Sequence, residues 1–81
     1  MIISATDVRF DNDAMWVSLD DGRVLGIPLA WFPKLLMATT AQRLSYELSA
    51  GGIHWDSLDE DISIAGLIAG RSDRTINRPA A

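Results

Sequence analysis

Hydrophobic and polar positions alternate at the start of the chain and change period near its middle. Thr6, Val8 and Phe10 alternate with Asp7 and Arg9, the period-2 pattern of a half-buried strand. Met15, Val17 and Leu19 then share one face of a second strand, with Trp16 and Ser18 on the other. Asp11-Asn12-Asp13 predicts a turn between them, because these short side chains bond their own backbone and tolerate left-handed geometry. Asp20-Asp21-Gly22 predicts a hairpin in which Gly22 supplies the positive φ. A third strand over residues 24–27 follows, ended by Pro28, which lacks the ladder N–H. The expected product is a three-stranded antiparallel meander.

The middle of the chain reads as helical. Leu29-Ala30-Trp31-Phe32 predicts a short helical turn, and Pro33 suits the first position of the next one, residues 34–38. Thr39-Thr40-Ala41-Gln42 has the spacing of a capping box, with Thr39 as N-cap and Gln42 at N3. The helix that it opens is expected to run to about Leu48, since Leu44 and Leu48 share a face at i, i+4, and Gly51-Gly52 stops it. Ile53-His54-Trp55 predicts a fourth short strand joining the sheet, and residues 56–61 an acidic loop. Ser63 is placed to N-cap a short C-terminal helix that turns Ile64, Leu67 and Ile68 to the sheet, with Gly70 at C′. The fold class is therefore α+β: a three-stranded antiparallel meander followed by helices, a fourth short strand and a short C-terminal helix. Residues 1–70 are expected to form one domain, and the polar residues 71–81 a flexible tail.

Composition narrows the function classes more than it identifies one. With 81 residues, 48% of them hydrophobic and 22% charged, the chain fits one small globular domain. It has no cysteine, which excludes disulfides, thiolate catalysis and cysteine-ligated metal sites. The N-terminus has no basic, then apolar, leader pattern, and no run approaches the roughly 18–20 apolar residues of a membrane span. A cytoplasmic location and no membrane partner are expected. The formal net charge of −4 is uneven. Residues 1–70 hold four basic residues against ten acidic ones, which is −6, whereas residues 71–81 hold three arginines against Asp73, which is +2. An acidic body repels nucleic-acid phosphates and attracts basic protein surfaces, so no nucleic-acid binding by the body is expected.

Several blocks line up together in order and spacing: Leu19-Asp20-Asp21-Gly22-Arg23, Pro28-Leu29-Ala30-Trp31-Phe32-Pro33, Gln42-Arg43, Glu47-Leu48, Gly52-Ile53-His54-Trp55, Leu58-Asp59-Glu60-Asp61-Ile62 and Gly66-Leu67-Ile68-Ala69-Gly70. Over about residues 5–70 the chain resembles the small bacterial family known as domain of unknown function 2442. The resemblance implies a compact α+β domain with an N-terminal meander. It also implies a gene neighbour of another uncharacterised type, in an arrangement resembling a toxin–antitoxin pair. Some relatives carry a helix-turn-helix domain after this region; with eleven residues after Gly70, none is expected here. Relatives commonly have proline after the His-Trp pair, where this chain has Asp56.

The candidate chemistry is centred on residues 54–61. His54 lies close in sequence to Asp56, Asp59, Glu60 and Asp61, and a histidine with two carboxylates can bind a divalent metal. The spacing matches neither the HExxH nor the calcium-loop pattern, so no metal is assigned and a solvated acidic loop is the simpler expectation. No serine sits on a G-x-S-x-G elbow and no glycine pattern forms a phosphate loop, so neither catalysis nor a cofactor is expected. Trp16, Trp31 and Trp55 are hard to bury together in so small a core, and tryptophan is enriched at binding hot spots. Core burial of Trp31 and Trp55, with locally bonded indole N–H groups, is the plainer alternative.

The expectation is thus a non-enzymatic protein-interaction module, with Trp16, Trp31, His54, Trp55, Asp59, Glu60 and Asp61 as candidate binding residues. In concrete form it is an antitoxin-like partner that covers a small basic toxin. The rivals are a small-ligand or metal site centred on His54 and Asp59–Asp61, and a structural homodimer formed through a meander edge.

Overall fold

The computed structural model describes residues 2–70. Three strands open it: β1 (Ala5–Phe10), β2 (Ala14–Leu19) and β3 (Val24–Pro28). They pair antiparallel in chain order, as the alternation predicts, with Val8 opposite Val17 and Met15 opposite Ile27 on the buried face. The β1–β2 register slips between Ala5 and Asp7, so Ala5 as well as Val8 faces the core. Asp11 builds the first turn by accepting from the N–H groups of Asp13 and Ala14 at 2.9 and 2.7 Å. Gly22, at φ 94°, closes the second.

A 3-10 turn (Leu29–Trp31) and two short helices, α1 (Pro33–Leu36) and α2 (Thr40–Leu44), follow. The capping box forms as the spacing predicts: Thr39 Oγ1 accepts from the Gln42 N–H, and Gln42 Oε1 from the Thr39 N–H. Arg43 then reaches back and donates to the carbonyls of Leu35 and Leu36, both at 2.9 Å. These are acceptors at the end of α1, which a cation suits.

The chain departs from expectation after Leu44. The helix does not reach Leu48; it stops at Leu44, and residues 46–49 are extended. Strand β4 (Tyr46–Ser49) pairs with β5 (Gly52–Trp55), and β5 with β6 (Glu60–Ser63). The strand expected at 53–55 therefore exists, but it is the centre of a second antiparallel sheet of its own and does not join the first. Ala50 and Gly51 link Ser49 to Gly52, and Gly51 takes φ 74°, so this glycine makes a hairpin turn where a helix stop was expected. The acidic segment 56–61 is likewise only partly a loop. Its first three residues are a 3-10 turn, Asp59 sits in the left-handed region at φ 51°, and Glu60 and Asp61 already belong to β6.

Helix α3 (Ile64–Ile68) completes the described residues. Ser63 caps it by accepting from the Gly66 N–H at 3.0 Å, and Gly70 follows at φ 78°. Ile64 and Leu67 are buried as expected, whereas Ile68 is 39% exposed. The core joins Val8, Met15, Val17 and Ile27 of the first sheet to Ile53, Trp55 and Ile62 of the second, with Leu29, Phe32 and Leu35 from the helical middle. Tyr46 bridges β4 to β1: its hydroxyl donates to Asp7 Oδ1 at 3.3 Å and accepts from the Val8 N–H at 3.4 Å. The expected tail, residues 71–81, lies outside the described residues.

Candidate functional site

The second sheet places its residues on two faces by the period of the strand. Ile53, Trp55 and Ile62 point to the core, and so does Glu60, which stands opposite Trp55. The outer face carries a cross-strand row: Glu47 on β4, His54 on β5 and Asp61 on β6 occupy directly opposed positions. His54 Nδ1 lies 2.6 Å from Asp61 Oδ1, and its Nε2 lies 3.5 Å from Asp56 Oδ1 on the following turn. The side chains of Asp61 and Asp56 are 80% and 94% exposed, so both carboxylates are open to a partner even while they face the imidazole. The hydrogen bond to Asp61, supported by that to Asp56 and by both charges, raises the His54 pKa above its ordinary 6.5 against the opposing effect of burial.

The structure divides the candidate residues. His54 and Asp61 come together, joined by Asp56 and Glu47. Asp59 is exposed but leaves the row, because its left-handed backbone turns the chain and its carbonyl accepts from Lys34 Nζ at 3.0 Å. Glu60 is a correction: at 7% exposure it is buried against the core and presents no acid to a partner. Trp55 is a second correction. It is fully buried at 0% exposure, its indole N–H donates to the Arg43 carbonyl at 3.0 Å, and its ring meets that of Tyr46 with centroids 6.4 Å apart. Trp31 is half-buried and packs on the same core.

Trp16 lies on the outer face of the first sheet, 42% exposed, with its ring across Gly26 on β3. A Cβ at Gly26 would fall 2.5 Å from the ring, so the close approach requires glycine. The indole N–H donates to Asp11 Oδ2 at 2.8 Å, and this bond, with those from the Asp13 and Ala14 backbone, lowers the Asp11 pKa. Trp16 is thus held in one orientation by its own sheet.

Glu47 is the residue that sequence reasoning missed. The signal was present: Tyr46 and Leu48 alternate with Glu47 and Ser49, which is also a strand pattern, and a two-residue turn at Ala50-Gly51 places Glu47 opposite His54. Among the described residues no group of three or more His, Asp or Glu is assembled to hold a metal ion. None of the described helices is long and apolar enough to cross a membrane. The described surface includes a crevice of about 290 Å³ between Phe10, Asp11, Thr40, Arg43 and Leu44, and a second of about 340 Å³ between Ile2, Ile3, Ala50, Ala65 and Ile68.

Comparison with curated proteins finds no match. Two solved structures are similar. A crystal structure of a protein of unknown function from Rhodospirillum rubrum is 30% identical, with a TM-score of 0.73 over 86% of this chain and 89% of that one. A solution NMR structure of an uncharacterized protein from Chromobacterium violaceum is 25% identical, with a TM-score of 0.73 over 85% of this chain and 67% of that one. Both share the architecture described above, and a family model matches residues 5–73, from the first strand to just beyond the C-terminal helix. The chain belongs to the protein family of unknown function DUF2442.

Proposed function

We propose that this chain is a non-enzymatic protein-interaction domain whose acidic outer face on the second sheet receives a basic partner protein. The observation that carries this reading is the row Glu47–His54–Asp61 with Asp56 beside it, in which the carboxylates are solvent-accessible and no lysine or arginine stands in the row. The basic residues of the described chain are engaged elsewhere: Arg9 pairs with Asp7, Arg23 with Asp21, Arg43 holds the end of α1, and Lys34 reaches the Asp59 carbonyl. The charge of −6 over residues 1–70 supports the same reading, because a summed negative field speeds the encounter with a cationic surface. In its concrete form the partner is a small basic toxin, covered at its functional surface by this domain in the cytoplasm. A nuclease-type toxin fits, since a surface that holds RNA is itself basic.

The test is affinity capture from extract of the source organism, with the wild-type chain and the double variant Asp56→Lys/Asp61→Lys as parallel baits. Recovery of one small basic protein by the wild type, lost with the variant and weakened by added salt, is the expected result. Equal recovery by both baits would move the binding surface away from this face.

A further inference from the structure

The arrangement around His54 is specific about protons. Each ring nitrogen faces a carboxylate oxygen, Nδ1 toward Asp61 and Nε2 toward Asp56. Only the doubly protonated imidazolium can donate to both, since the neutral ring keeps one nitrogen as an acceptor and turns that lone pair on a carboxylate. The groups that surround it come from three elements: Asp61 from β6, Asp56 from the turn after β5, and Glu47 directly across on β4. All three are acidic, and among the described residues only carboxylates act on the charge of the ring. We infer that His54 is a proton-operated clasp: protonated, it ties β6 and the 56–58 turn to the central strand and offsets the charge of two exposed carboxylates; deprotonated, it leaves their full charge to a basic partner. The binding half of this inference rests on the acidic-face reading above, whereas the clasp stands on the geometry alone.

Across the transition the formal charge of Glu47, Asp56, Asp61 and His54 together changes from −2 to −3. Affinity for a cationic ligand therefore rises with pH, opposite to what a histidine gives when it binds an anion. His54 is the only histidine in the chain, so no other side chain has an ordinary pKa in this range. A change of up to about fivefold is expected, the size that an exposed ion pair supplies.

Two readouts on the same protein separate the parts. NMR of the chain labelled with ¹⁵N-histidine follows both ring nitrogens against pH, and an N-acetylated oligolysine peptide with a pH-insensitive fluorophore, whose lysines stay charged below about pH 9, reports binding. The expected result is a midpoint above 6.5 with both nitrogens protonated below it, lowered by Asp61→Asn and less by Asp56→Asn. Peptide affinity then rises through that midpoint, and His54→Gln abolishes the rise. These positions lie on the outer face, and the wild-type titration needs no variant. A midpoint at or below 6.5, or one that Asp61→Asn leaves unmoved, would overturn the clasp. A raised midpoint with peptide affinity independent of pH would overturn its control of binding. No peptide binding at any pH would count against the acidic face itself and remove the binding half, while the ring titration still decides the clasp.

Discussion

At the scale of single residues, two side chains set testable expectations for the free protein. Because the folded pKa of His54 lies above 6.5, its contribution to stability is fully present below that value and is lost as pH rises through the folded pKa. Urea unfolding of wild type and His54→Gln should therefore differ most at about pH 6 and converge at about pH 8.5; a constant difference across that range would contradict the assignment. Asp11 works in the opposite sense. Its lowered pKa contributes stability above the ordinary 3.8 that is lost as pH falls through the folded value. Gly26→Ala should reach Asp11 indirectly. The new methyl group displaces the Trp16 ring and breaks its bond to Asp11. The expected signs are a shifted Trp16 indole N–H resonance and a higher titration midpoint for Asp11.

At the scale of elements, short pieces are held by specific end contacts more than by their length. Helix α2 has five residues, too few to persist alone, and rests on its capping box and on Arg43. Thr39→Ala should destabilise the protein by about 1 kcal/mol in chemical denaturation. Trp55→Ala should cost about 3–5 kcal/mol, because it empties the centre of the core, and should leave little folded protein. The comparison of sequence with structure belongs at this scale. The meander was legible because period-2 alternation, broken only by the slip at Ala5–Asp7 that leaves Thr6 exposed, and turn residues with left-handed preference coincide at residues 5–28. The C-terminal helix was legible because Ser63 and Gly70 mark both of its ends. The second sheet was not: Leu44 and Leu48 fit a helix at i, i+4, while Tyr46 and Leu48 fit a strand at i, i+2, and local pattern alone does not choose between them. Pairing with Ile53 and Trp55 decides for the strand, and that contact is tertiary. The same ambiguity hid Glu47, and reading 56–61 as one loop left Glu60 exposed on paper when the pleat turns it inward.

At the scale of the whole molecule, charge and apolar surface point to different faces. The acidic row lies on the outer face of β4, β5 and β6, whereas exposed apolar side chains gather elsewhere: Trp16 and Val24 on the first sheet, Leu36 and Met37 at the end of α1, and Ile2 and Ile68 around the second crevice. A partner recognised by charge and one recognised by apolar burial would therefore leave different footprints. Association through the acidic row should be fast and strongly salt-dependent, since exposed charges are screened beyond about 8–10 Å at ordinary ionic strength. Self-association is the opposite case: copies of an acidic chain repel, so a homodimer should strengthen with added salt and show itself as a concentration-dependent elution volume.

The footprint is the measurement that tests the central claim most directly. Amide chemical-shift mapping of the labelled chain, titrated with the basic protein that it captures, should show the largest changes at Glu47, His54, Asp56 and Asp61, and Asp56→Lys/Asp61→Lys should abolish them. Changes centred on Trp16 and Val24, or on Ile2 and Ile68, with the acidic row silent, would contradict it.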